Sequence, residues 1–220
     1  VFTTDEETGL LGANAMDMSR LSGKRLINID SEVEGIFTVS CAGGMRTDCH
    51  IPVRREQAPQ GIYLEVAVGG LLGGHSGTEI NKERTNAIKL LGLTLQQVQN
   101  RIPLNLVQIG GGEKDNAIPR TASAVVCLDK GKQDEFIRSI ENIQLAEKNE
   151  NQSKEKGLFI RVAETSVPEQ GVFDADSTAR VLSFLTLFPN GVMAMSADIE
   201  GLVETSLNLG ILRTCEQEVV

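Results

Sequence analysis

Three acidic residues near the start of the chain have types and an order that hydrolytic chemistry uses. Asp5-Glu6-Glu7 stands where a strand-like opening, Val1-Phe2-Thr3-Thr4, hands over to a helix-like segment. Ligands of open α/β sheets bind at such carboxyl ends. Successive side chains of an extended segment point in opposite directions. Glu6 and Glu7 can therefore do different work, one on a metal and the other on a proton. Asp30 ends a buried-type run, Leu26-Ile27-Asn28-Ile29, and emerges on the same edge as Glu7 if the two strands are near neighbours in a parallel sheet. The structural alternative is that acids in a first turn complement the helix dipole. Spacing alone does not choose between these readings.

Two further positions have groups that could hold a ligand. His75 lies in Gly73-Gly74-His75-Ser76-Gly77, where glycine permits close backbone approach. Its alternative reading is an exposed turn residue beside a capping Ser76. Asn116 opens Asn116-Ala117-Ile118-Pro119-Arg120 after the triplet Gly110-Gly111-Gly112. Asn offers a donor and an acceptor, and Arg a fork for carboxylates. Turn chemistry before a proline explains the same residues. His50 follows Cys49 in a polar loop and reads as a surface residue.

Composition removes several classes. Of 220 residues, 21 are Lys or Arg and 30 are Asp or Glu, for a net charge of −9. A general nucleic-acid binder needs a basic footprint, and a chain without Trp and with one Tyr has little for base stacking. No apolar run is long enough to span a bilayer, and no G-x-x-x-x-G-K-[ST] or G-x-S-x-G motif occurs. Cys41, Cys49, Cys127 and Cys215 form no C-x-x-C pair, which fits reduced thiols in a cytoplasmic protein better than a zinc ribbon.

The elements that must position these residues follow from periodicity. Residues 1–35 read as α/β, with a short amphipathic helix between two strands. Strands are expected at 36–41, 61–72, 104–109, 121–128, 158–162, 191–195 and 202–213. Helices are expected from Ser76-Gly77-Thr78-Glu79, a capping-box pattern, to about Val98, then around Phe136, Ile140 and Ile143, and from about Asp174 to Phe188. The charged stretch 148–157 reads as an exposed loop or linker. The order strand, helix, strand, strand occurs in 61–128 and again in 158–213, a possible internal repeat. Such units build α+β layers of the ferredoxin-like sort.

The motifs, taken in order, resemble a known family. Thr3-Thr4-Asp5-Glu6-Glu7-Thr8-Gly9, Leu26-Ile27-Asn28-Ile29-Asp30-Ser31-Glu32, Cys41-Ala42-Gly43-Gly44, Gly73-Gly74-His75-Ser76-Gly77, Asn116-Ala117-Ile118-Pro119-Arg120 and Val203-Glu204-Thr205-Ser206-Leu207-Asn208 look like the middle of an aminoacyl-histidine dipeptidase, of the bacterial carnosinase type. That family belongs to the dinuclear-zinc metallopeptidase clan. The resemblance implies Glu6 as general base, Glu7 and Asp30 as metal ligands, and His75 and Asn116 as lid residues that hold the substrate. It implies two zinc ions in the complete enzyme (Mn or Co being possible), a dipeptide substrate and a homodimer. It also implies that 1–35 is a piece of the catalytic domain and 36–220 a lid and dimerisation domain. The alternatives are a non-catalytic lid-like oligomerisation module and a small-molecule-binding domain. The family's His-x-Asp pair and its later His and Arg are absent from this sequence. The expectation is therefore a segment of a longer protein that does not hydrolyse dipeptides alone. An assay of the purified chain for metal-dependent Xaa-His cleavage should find none, and robust turnover would overturn the expectation.

Overall fold

In the computed structural model of the chain, residues 2–6, 9–25, 27, 34–37, 39, 42–166 and 170–220 are described. The chain divides into two units, Val1–Gly43 and Gly44–Val220. The boundary expected between residues 35 and 36 falls inside the first.

The first unit contains one α-helix among its described residues, α1 (Leu11–Asn14), followed by a 3-10 turn at Met18–Arg20. Residues 2–5 are in no strand, and the longer amphipathic helix expected here is reduced to this single turn. None of its residues is buried. Short helices are not stable without an apolar face to pack, and that is the physical reason for the difference. The expected strand at 26–29 lies almost wholly outside the described residues, as do positions 38, 40 and 41 of the one expected at 36–41. Ile36, Phe37 and Val39 are exposed and in no strand.

The second unit opens with two short strands, β1 (Ile51–Pro52) and β2 (Arg55–Glu56), before β3 (Ile62–Gly69) and β4 (Gly74–His75). Then come α2 (Ala87–Gln99), β5 (Leu104–Gly111), β6 (Ala117–Ile118), β7 (Ala122–Leu128) and α3 (Gln133–Glu150). β8 (Phe159–Glu164), β9 (Val172–Phe173), α4 (Ala175–Leu187), β10 (Gly191–Met195), β11 (Val203–Leu207) and β12 (Glu218–Val219) complete it.

The main sheet has the order β5-β7-β3-β8, all pairs antiparallel. Threaded as β3-α2-β5-β7-α3-β8, this is the split β-α-β topology of ferredoxin-like domains, so the α+β expectation is met. Side chains alternate across each strand. Leu64, Val66 and Val68 of β3 and Ala124 and Val126 of β7 meet the helices in the main core, whereas Tyr63, Val125 and Cys127 join a smaller cluster with Val107 and Val172. On β5 the register shifts between Leu106 and Gln108. This bulge lets Leu106 and Ile109 both serve the main core while Val107 serves the other cluster.

α2 is the central helix. Ile88, Leu91 and Leu95 are fully buried, and Gly92 allows α4 to approach: a Cβ there would stand 2.6 Å from Leu185 Cβ. Lys89 Nζ donates to the carbonyls of Leu185, Thr186 and Phe188 at 2.8, 2.5 and 2.6 Å, which supplies donors to the otherwise orphaned end of α4.

Three expectations are corrected. α2 starts at Ala87 and not near Ser76; residues 76–85 form an irregular loop with a 3-10 turn at Ile80–Lys82. The helix's true cap is Asn86, whose Oδ1 accepts from Ile88 and Lys89 N–H at 3.0 and 3.2 Å. The stretch 148–157 is not simply an exposed linker: α3 continues to Glu150, and Glu155 is buried. The strand expected at 202–213 ends at Leu207. In 158–213 the strand, helix, strand, strand order is present, but β8 is an edge of the first sheet and β10 and β11 pair as a separate hairpin.

The two edges of the main sheet differ. β5 is covered: Gly111 bridges Leu212, Thr214 Oγ1 bonds both Ile109 N and Ile109 O (2.8 and 2.7 Å), and Arg55 donates to the Val107 carbonyl at 3.0 Å. Among the described residues β8 pairs with β3 alone.

Asn86 also donates through Nδ2 to Asn190 Oδ1, Leu209 O and Asn208 Oδ1 at 3.0, 3.0 and 3.4 Å. Asn86→Ala removes the cap and strands these acceptors, so it is expected to lower stability by about 2–4 kcal/mol in urea unfolding. Asn86→Asp keeps the cap but sets a buried carboxylate oxygen against these three acceptors, so it should cost at least as much as Asn86→Ala.

Candidate functional site

β4 and β6 pair antiparallel, with Gly74 opposite Ile118 and His75 opposite Ala117. This two-stranded ribbon brings His75 and Asn116 together, as Ser76 N donates to the Asn116 carbonyl at 2.9 Å. Both side chains are exposed. The approach to the ribbon needs glycine. Gly73 and Gly74 have φ of 63° and 147°. A Cβ on Gly74 would stand 2.5 Å from Arg84 Nη1 and 2.6 Å from Glu79 Oε2.

The His75 ring is held by its own loop. Nδ1 accepts from the N–H groups of Gly77 and Thr78 at 3.0 and 3.2 Å. In the neutral ring this places the proton on Nε2, leaving that nitrogen to donate outward. Glu79 organises the turn. Its Oε2 accepts from His75 N at 3.0 Å, while Oε1 meets Lys82 Nζ at 2.6 Å and Arg84 Nη2 at 3.1 Å. The hydrogen bond from Lys82, with help from the His75 amide and the nearby guanidinium of Arg84, holds the Glu79 carboxyl down at about 2. Arg84 also donates to the Gly73 carbonyl. The Ser76–Glu79 spacing that resembles a capping box thus has a real partner for its carboxylate, the amide of His75, but no α-helix follows.

The second strand is fixed from behind. Asn208 Nδ2 donates to the carbonyls of Ala117 and Asp115 at 2.8 and 3.3 Å, and Ala87 N donates to the Pro119 carbonyl at 3.0 Å. A cleft of about 460 Å³ lies along the ribbon, lined in part by Leu71, Leu72, Lys114, Ile118 and Arg120. Arg120 Nε donates to the Leu71 carbonyl at 3.3 Å. Chemically, the exposed groups of the ribbon include an imidazole N–H and a carboxamide, either of which can donate to an oxygen of a bound molecule. Glu79, Arg84 and Asn86 were not marked as site residues by sequence; each bonds to at least one backbone group, which leaves no residue-type signature.

Of the acidic candidates, Glu6 is exposed in the first unit. It lies in a turn ahead of α1, its carbonyl accepting from Gly9 and Leu10 N–H at 3.2 and 3.0 Å. Glu7 and Asp30 lie outside the described residues. Among the described residues no three His, Cys, Asp or Glu side chains converge so as to hold a metal ion. Nor is any helix among them long and apolar enough to cross a membrane. His50 is exposed beside Glu218, with Nδ1 3.1 Å from Oε2.

Residues 66–154 match the family model of a peptidase dimerisation domain. All 220 residues align at 34% identity with the cytosol non-specific dipeptidase of Escherichia coli (strain K12), covering 45% of that protein. The crystal structure of aminoacylhistidine dipeptidase from Vibrio alginolyticus matches with a TM-score of 0.84 and 37% identity, over 99% of this chain and 44% of the other. The resemblance to the central segment of an aminoacyl-histidine dipeptidase is borne out, and the chain spans a little under half the length of these relatives.

The lowered Glu79 carboxyl gives the loop a pH dependence. A carboxyl whose folded pKa lies below its ordinary 4.5 stabilises the fold above 4.5, and loses that contribution as pH falls toward about 2. The protection of the His75 amide relative to an unfolded chain at the same pH should therefore fall across that window, and Glu79→Gln should abolish the dependence.

Proposed function

We propose that this chain is the substrate-capping and dimerising segment of a metallo-dipeptidase, with residues 1–35 belonging to its catalytic domain and 36–220 forming the lid. The observation that carries this reading is the β4–β6 ribbon, which fixes the His75 ring with Nε2 left to donate and holds Asn116 at the start of the facing strand. Donors fixed in this way can hold the carbonyl of a dipeptide and stabilise the oxyanion that develops on it. In this reading Glu6 is the general base, and Glu7 and Asp30 are metal ligands. The expected cofactor is zinc, two ions in the complete enzyme with Mn or Co as substitutes, and it rests on the family resemblance, since the described residues contain no donor set of three. The substrate class is a dipeptide, and the name of the Vibrio relative points to Xaa-His. The same reading places the protein in the cytoplasm, as the name of the Escherichia coli relative has it. It makes no use of nucleic acid or membrane.

A homodimer belongs to the same proposal. The peptidase dimerisation match takes in β5, β7 and the second half of β3, the strand beside β8, and an open sheet edge invites pairing with another chain. β8 is that edge.

Taken alone, the 220 residues lack the His ligands that the resemblance expects, so activity belongs to the whole protein. There, His75→Ala and Asn116→Ala are each expected to lower kcat for dipeptide hydrolysis by about 10²–10³-fold, with smaller effects on KM. Glu6→Gln should reduce kcat at least as strongly. Steady-state kinetics check all three, and unchanged kcat in the His75 and Asn116 variants would overturn the assignment.

A further inference from the structure

The segment 151–157 joins α3 to β8, and Glu155 within it is 2% exposed. A buried carboxylate is stable only when its oxygens are satisfied. Here Oε2 accepts from Leu72 N–H at 2.8 Å and Oε1 from Thr85 N–H at 3.1 Å. Those two amides stand at either end of the excursion 72–85, which leaves the main sheet after β3, carries His75 and returns to cap α2. One carboxylate thus closes the base of the loop.

Neighbouring contacts seat the same segment. Gly70 and Gly157 touch so closely that a Cβ on Gly157 would lie 2.6 Å from the Gly70 carbonyl oxygen. Lys154 Nζ pairs with Glu83 Oε2 at 2.8 Å, and Thr85 Oγ1 donates to Asn151 Oδ1 at 3.5 Å. From the clamp inward, contacts run without a break to the imidazole. Leu72 precedes Gly73, whose carbonyl Arg84 holds; Arg84 pairs with Glu79, and Glu79 accepts from His75 N.

We propose that Glu155 is a positioning residue for His75. By fixing both ends of the loop it keeps Gly77 and Thr78 N–H on Nδ1, and so keeps the donor proton on Nε2. The inference that this matters for a substrate rests on the reading of His75 above; the clamp itself does not.

The test uses the chain labelled with ¹⁵N-histidine. His50 and His75 are its two histidines, and His50→Gln assigns the pair. At alkaline pH the parent is expected to show His75 as a single tautomer, protonated at Nε2. Glu155→Gln turns an amide NH₂ toward one of the two backbone donors. It should speed exchange at Leu72 and Thr85 about tenfold or more, mix the His75 tautomers, and leave the amides of β3, β5 and β7 protected. Gly157→Ala, which keeps Glu155 but pushes the segment off Gly70, should give the same His75 change. An unchanged His75 tautomer in both variants overturns the proposal. So does loss of protection spread evenly through the sheet, which would mark Glu155 as a general support of the fold. Kinetics of His75→Ala in the whole protein judge the dipeptidase reading separately, and their failure leaves the clamp result standing.

Discussion

The carboxamide of Asn86 is the interaction on which the site's geometry depends. It is 3% exposed, and its two ends face opposite ways. Oδ1 starts α2, the helix that packs the main sheet against α4. Nδ2 reaches acceptors on Asn190, Asn208 and Leu209, more than 100 residues away in sequence. Asn208 in turn holds the backbone of the β6 strand. A single planar group therefore ties the start of the central helix to the ribbon that carries His75 and Asn116. Buried amides of this kind specify an arrangement because every alternative leaves a donor or acceptor stranded.

A second layer of organisation is electrostatic and local. Glu79 collects one backbone amide, one ammonium and one guanidinium, so the glycine-rich turn is a charged knot rather than a slack connection. Gly73 and Gly74 make room for it, since a side chain at either position would collide with Arg120, Arg84 or Glu79. The exposed imidazole at the tip inherits its orientation from the backbone amides of its own loop.

The regular part of this architecture was legible in the sequence. Alternation in β3 and helical spacing in α3, in α4 and toward the end of α2 place the main sheet and its layers within a few residues, because burial on one face writes a period into the chain. The non-regular part was not. Ser76 and Glu79 imitate a helix start, yet the cap that forms is Asn86, whose other partners lie far along the chain. The stretch 148–157 has the composition of a solvated linker, yet Glu155 is buried against two backbone amides, and backbone partners carry no residue-type signal. His75 and Asn116 were singled out by type and by resemblance, but nothing in their spacing of 41 positions announces that they sit on adjacent strands. That adjacency comes from a ribbon of two residues on each side, too short to have a period.

The unequal edges of the main sheet bear on how copies of the chain can associate. Arg55, Leu212 and Thr214 seal β5, whereas β8 has a strand partner on one side. A sheet with two bare edges can add neighbours at both and grow into a fibre. A sheet with one bare edge can join a second copy edge to edge about a two-fold axis, and the joining uses up the edge that this sheet leaves open among the described residues. Assembly by this route closes at two, so the sealing of β5 acts as a chain terminator for the polymer that an open-ended sheet would otherwise seed.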